Sequence, residues 1–203
     1  RDRASAGQRS MSTTRQKQRT LVALMLPQLT VVLNLAMVNV ALPAIRETFD
    51  APADVMAWVI TIYMLPYVAM MPLYGRLGDD LGIRRMMFLG MGVFLVGTAV
   101  NALSQSLPLL LVGRFIQGLG ASGMSPLAIA MITRIFSVKA RGQVLGQWNS
   151  VGPVAGLIGS LLGGLVIDTL GWRSTFFLPI LAGGFAVGMV YRAVQSPGHP
   201  LRL

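Results

Sequence analysis

Asp, Glu, Lys and Arg are absent from six long stretches of this chain: residues 20–45, 55–75, 86–113, 115–133, 142–167 and 174–191. A helix needs roughly 20 mostly apolar residues to cross a hydrocarbon core about 30 Å thick, and six such helices can be drawn through these stretches. A globular protein of 203 residues has too little interior to hide a chain that is 54% hydrophobic with a mean hydropathy of +0.64. The strands of a membrane barrel would alternate apolar and polar residues over about ten positions, whereas these runs are continuous and Gly-rich. The expectation is an all-α, multi-pass membrane protein with six transmembrane helices.

The net charge of +10 would suit a nucleic-acid binder, but the placement of the charges argues against one. One side of the six-span layout receives Arg1, Arg3, Arg9, Arg15, Lys17, Arg19, Arg76, Arg84, Arg85, Arg134, Lys139, Arg141, Arg192 and Arg202, while the other receives only Arg46 and Arg173. The positive-inside rule puts the first group in the cytoplasm, which makes both termini cytoplasmic. A bacterial cytoplasmic membrane is the expected location. Residues 1–19, polar and basic, read as a disordered cytoplasmic tail, 20–191 as the bundle, and 192–203 as a second tail or the start of a linker. The first apolar run exceeds the roughly 7–15 residues of a signal-peptide core. A chain that opens on Arg1 in place of Met is expected to begin downstream of a true start or to be a fragment.

Chemistry of the enzymatic kind has no foothold. There is no cysteine, the one histidine is His199 in the C-terminal tail, and no clustered pair of carboxylates within the spans, Ser/His/Asp set, metal-ligand spacing or nucleotide loop occurs. Neither an enzyme nor a cofactor is expected, and transport driven by a gradient is the consistent alternative to ATP hydrolysis.

The spans are placed at about Thr20–Ile45, Val55–Tyr74, Met86–Leu103, Pro108–Ile135, Gly142–Ile167 and Ser174–Tyr191. A tight charged loop from Gly75 to Arg85 joins the second and third, with Gly75, Gly78 and Gly82 supplying turn freedom. Arg114 alone among the charges falls inside a span. There it costs about 2.5–3.5 kcal/mol and must face protein or water. Gln117, Gly118, Ala121 and Ser125 follow it at three- and four-residue steps, one small and polar stripe on its side of the helix. Two readings stand: a proton relay or anion-orienting residue lining a cavity, or an arginine that snorkels or ties the carbonyls of a neighbouring helix. In the fifth span Gly142, Gly146, Gly152, Gly156, Gly159, Gly163 and Gly164, with Pro153 among them, read as a close-packing face. Asn34, Asn39, Tyr63, Tyr67, Gln117, Gln147, Trp148 and Asn149 are the polar or aromatic residues suited to meet a ligand, and Trp58 and Trp172 read as interfacial anchors.

Four stretches together resemble the major facilitator superfamily of secondary transporters, and within it the fourteen-helix drug:proton antiporter branch. The superfamily loop motif is similar to Gly75 through Arg84, with Gly75, Leu77, Gly78, Asp79, Gly82 and Arg84 in place. The fourth-helix motif matches Arg114, Gln117, Gly118, Gly120 and Ala121. The first-helix signature is similar to Asn34 through Pro43, and the fifth-helix antiporter motif to Gly146, Ala155, Gly159, Ser160, Gly163 and Gly164. Departures are equally specific. Asn34 stands where the branch carries Asp, and an amide cannot exchange a proton near neutral pH. Ala155 replaces a Gly and Ser160 replaces the Pro, so the motif's bend is expected to be weaker or moved to Gly152-Pro153, and Asp80 and Ile83 replace basic residues.

The resemblance implies the N-terminal half of such a transporter, a bundle of 3+3 repeated helices that works against a second half of six to eight helices with the substrate between them. It implies proton-coupled efflux of amphipathic organic compounds or drugs, with the lipid bilayer, a small-molecule substrate and protons as partners. It casts Asp79 as a latch that closes the inner side in the outward-open state, paired locally with Arg76, Arg84, Arg85 or Arg134. The alternative is a truncated, non-transporting membrane module or assembly partner.

Overall fold

The computed structural model describes residues 2–194, with side chains for residues 16–192. These residues form seven helices: α1 (Asp2–Phe49), α2 (Ala53–Leu81), α3 (Ile83–Ala102), α4 (Leu107–Ala121), α5 (Met124–Ile135), α6 (Val138–Leu170) and α7 (Ser174–Val194). Helices α4 and α5 follow each other within one span, Leu107–Ile135, so the described residues carry six helices long and apolar enough to cross a membrane. Helices are what lipid demands, because each satisfies its own backbone hydrogen bonds where no water can.

Three boundaries differ from the sequence reading. Helix α1 is continuous from Asp2, through the stretch expected to be a disordered tail. An apolar helix already formed removes the cost of nucleation for the residues that precede it, and Arg, Gln and Lys are good helix formers. The fourth span is interrupted at Ser122-Gly123. Pro126 has no N–H to give the Ser122 carbonyl four residues earlier, and Gly123 leaves room for the Tyr74 ring, with which a Cβ there would collide. The segment from Gly75 to Arg85 is hardly a loop at all. Helix α2 runs through Gly75 and Gly78 to Leu81, α3 begins at Ile83, and the whole reversal falls on Gly82, at φ +93°. Turn freedom is therefore needed at Gly82 alone. Gly78 instead admits the Leu127 side chain, and Gly75 has nothing within 4 Å of its would-be Cβ. The tail expected at 192–203 falls, beyond Val194, outside the described residues.

Helices α3 and α4 pack backbone against backbone. A Cβ at Gly97 would stand 2.5 Å from the Gln117 nitrogen and 2.8 Å from the Gly113 carbonyl oxygen. One at Gly120 would stand 2.5 Å from the Gly90 oxygen and 2.7 Å from the Phe94 Cα. Small residues facing each other in this way let two backbones touch, the form of packing that holds helices together where lipid is as apolar as leucine. Helix α6 behaves otherwise. Gly159 fits against Leu33 and Ala36, and Gly163 against Met37, all on α1, but Gly142, Gly146, Gly152, Gly156 and Gly164 meet nothing within 4 Å. The close-packing face expected along the fifth span is thus limited to two of its seven glycines.

Apolar clusters fill both ends of the bundle. Leu24, Met86, Leu127, Ile132 and Trp148 belong to one, and Val38, Ile45, Val59, Leu110, Trp172 and Phe176 to the other. Trp172 is only 4% exposed, packs edge-on against Phe49 and Phe176, and donates from Nε1 to Thr48 Oγ1 at 2.9 Å. It pins the α6–α7 turn into the core, since Gly171 at φ +79° swings the chain inward there; the interfacial role expected for it does not match this placement. Trp58 is 52% exposed.

Candidate functional site

Between the two apolar clusters, four helices contribute to a polar cluster that holds one charged side chain. Arg114 is 0% exposed. Its Nε donates to the Val59 carbonyl on α2 at 3.0 Å, and Nη1 donates to Gln117 Oε1 at 2.6 Å and to Asn34 Oδ1 on α1 at 3.5 Å. Its guanidinium carbon lies 4.2 Å from the centre of the Tyr63 ring, a cation–π contact strengthened by exclusion of water. The arginine therefore does not snorkel: it ties a neighbouring carbonyl and sits inside a polar cluster.

Gln117 is the hub of that cluster. Its Nε2 donates to Asn34 Oδ1 at 2.9 Å and to Thr98 Oγ1 at 2.8 Å, while Oε1 accepts from Arg114 and from Asn101 Nδ2 at 3.1 Å. Thr98 Oγ1 in turn donates a hydrogen bond to the Phe94 carbonyl at 2.7 Å. All five polar residues are buried. The α3–α4 glycine contacts make this possible, because only backbones in near contact bring the short side chains of Thr98 and Asn101 within reach of Gln117.

The cluster has a surplus of donors. Among the described residues, Arg114 Nη2 and Asn34 Nδ2 find no acceptor, and on the acceptor side only Asn101 Oδ1 is unused here. No carboxylate stands beside Arg114: the one ion pair among the described residues is Asp79 with Arg134, far along the chain.

Of the residues singled out from sequence, Arg114, Gln117 and Asn34 meet directly, Tyr63 joins them beneath the guanidinium, and Tyr67 stacks on Tyr63 at 5.8 Å. Asn39, Gln147 and Asn149 are exposed, on α1 and α6. Trp148 is buried in the apolar cluster of Leu24, Leu127 and Ile132, with Nε1 unpaired, so it does not stand beside the other ligand candidates. Thr98 and Asn101 went unrecognised. Their signal was a Thr and an Asn three residues apart in an otherwise apolar span, a pair that shares one helix face.

At the end of the bundle where α2 meets α3, Asp79 accepts from Arg134 Nη2 at 2.7 Å, with the two side chains 67% and 49% exposed. Of the four arginines considered for Asp79, the geometry selects Arg134. Arg84 lies over the Phe88 and Tyr191 rings instead, 5.6 Å from each. Arg85 and Arg76 form no ion pair among the described residues.

Comparison with known proteins agrees with this architecture. The family model described as Major Facilitator Superfamily matches residues 24–202. A Mycobacterium tuberculosis protein, "Uncharacterized MFS-type transporter Rv1250", is 34% identical over 89% of this chain and 31% of its own length. "Multidrug resistance protein 3" of Bacillus subtilis is 30% identical over 90% of this chain and 36% of its own length. The chain thus spans about a third of the length of the curated relatives it matches. The solved structure of the proton:xylose symporter XylE superposes with a TM-score of 0.79 at 12% identity, covering 89% of this chain and 45% of that one, a likeness of fold alone. A multi-pass membrane protein related to drug efflux pumps, and not an enzyme, this chain belongs to the Major Facilitator Superfamily.

Proposed function

We propose that the full-length protein exports amphipathic organic compounds by alternating access, driven by a proton gradient, and that this chain supplies one wall of the pathway. The observation that carries the reading is the fully buried Arg114, held by α1, α2 and α4 in the middle of an apolar bundle. An intramembrane charge costs free energy that packing alone does not require, which makes it a mark of function.

The remaining pieces fit around it. The open glycines of α6 and the exposed Asn39, Gln147 and Asn149 form a surface for a second helical half and for the solute path. Asp79 and Arg134 act as a latch at the basic end of the bundle, which faces the cytoplasm of a bacterial cell by the positive-inside rule. Asn34 cannot carry a proton, so the coupling acid lies elsewhere in the full-length protein.

The test is transport by the full-length protein in proteoliposomes, using amphipathic cations, neutral compounds and carboxylates under an imposed proton gradient. Saturable, gradient-dependent movement of at least one class is expected. No gradient-dependent movement of any class by correctly folded protein overturns the reading.

A further inference from the structure

We infer that Arg114 and Asn34 together form the binding point for the carboxylate of an organic anion, a substrate class that deepens, and rests on, the transport reading. The argument is a count of hydrogen-bonding capacity. Arg114 Nε and Nη1 are engaged, both amide protons of Gln117 are spent on Asn34 and Thr98, and the side-chain oxygens of Asn34 and Gln117 each already accept twice. What is left over on the α1–α4 side is the Nη2 of the guanidinium and the Nδ2 of Asn34, both buried and both without an acceptor among the described residues.

A carboxylate matches this remainder in three respects. It only accepts, through two oxygens with about four lone-pair positions. It accepts from the free Nη2 of the guanidinium in a charge-assisted hydrogen bond, stronger than a neutral one. Its single negative charge cancels the single buried positive charge, which no described residue of the cluster does. A dianion would leave one charge uncancelled in a water-poor site.

Access is built into the same residues. Among the helices of the cluster, α1 is tied to Arg114 and Gln117 through Asn34 Oδ1 alone. A shift of α1 that breaks these bonds therefore opens a gap between Asn34 on α1 and Arg114 on α4, which a carboxylate would bridge. From the guanidinium, the Tyr63 ring and the Tyr67 ring stacked on it, interplanar angle 17°, lead to a partly exposed position. That flat aromatic lane suits an arene bearing a carboxylate.

The test is calorimetric binding of benzoate and of its uncharged counterpart benzamide to purified full-length protein. Benzoate is expected to bind at least about tenfold more tightly, as a charge-assisted pair requires. Asn34→Asp, nearly isosteric and therefore foldable, supplies the carboxylate internally and is expected to abolish the preference. Arg114→Lys keeps the charge without the fork and is expected to weaken it. Equal affinities in the wild-type protein, including the case where a carboxylate from elsewhere in the full-length chain already fills the site, overturn the inference, as does a preference unchanged in Asn34→Asp. Gradient-driven movement of cations or neutral compounds without benzoate binding would remove the carboxylate site and leave the transport reading standing; benzoate binding without any gradient-driven movement would do the reverse.

Discussion

Two glycine-rich regions of this bundle look alike in sequence and do opposite things. In α3 and α4, Gly90, Gly97, Gly113 and Gly120 bring two backbones into contact, and most of the fourth span is buried. In α6, five of seven glycines touch nothing, and most of the helix is not buried. The difference teaches that a small-residue stripe announces a helix that can be approached closely, without saying by what. Where the approach happens inside the chain it builds the polar cluster around Gln117. Where it does not, it leaves an apolar surface that, on the proposed reading, belongs against the second half.

Substitutions can break this contrast. The largest effect is expected from Gly97→Leu, because the obstruction is the α4 backbone, which cannot rotate away: a loss of about 3 kcal/mol or more, only partly offset by about 1 kcal/mol of helix propensity. The measurement is thermal or denaturant unfolding of the full-length protein in detergent, and a variant as stable as wild type would show that α3 and α4 are not in contact. Gln117→Leu comes next, since it strips partners from Arg114, Asn34, Thr98 and Asn101 at once. A loss of about 1–3 kcal/mol is expected in the same assay, and a stabilised variant would dissolve the hub. Asp79→Asn removes an exposed ion pair worth under about 1 kcal/mol, so stability should hardly move while accessibility labelling of the two membrane faces shifts. Unchanged labelling would argue against the latch. Least disruptive of all is Gly156→Ala, expected to cost nothing and to gain at most about 1 kcal/mol of helix propensity; a large loss of stability would mean that α6 packs more tightly than described.

What the sequence made legible follows from what lipid forbids. Six charge-free stretches placed six spans because an ionised side chain in hydrocarbon is costly, and the isolated Arg114 pointed at its own surroundings for the same reason. Helix ends inside the charged connection were not legible. The charges of Arg76, Asp79 and Asp80 mark where the chain leaves the apolar layer, whereas α2 continues through them to Leu81. Nor was the partner of Asp79: four arginines lay within plausible reach, and Arg134 was selected by the way α5 packs beside α2, a long-range fact. Thr98 and Asn101 escaped notice because an uncharged polar residue in a span is cheap enough to need no function. Only the approach of α4 at Gly97 and Gly113 turns them into members of the site.

The central claim is that the Arg114 fork, fixed between the Val59 carbonyl and Gln117, organises the solute-facing centre of this half. Initial transport rate of Arg114→Lys in proteoliposomes of the full-length protein tests it most directly, because lysine preserves the charge and loses the planar, multi-donor geometry. The account expects at least about a tenfold fall in rate with helix content and thermal stability close to wild type. An Arg114→Lys protein that folds and transports at the wild-type rate would contradict it.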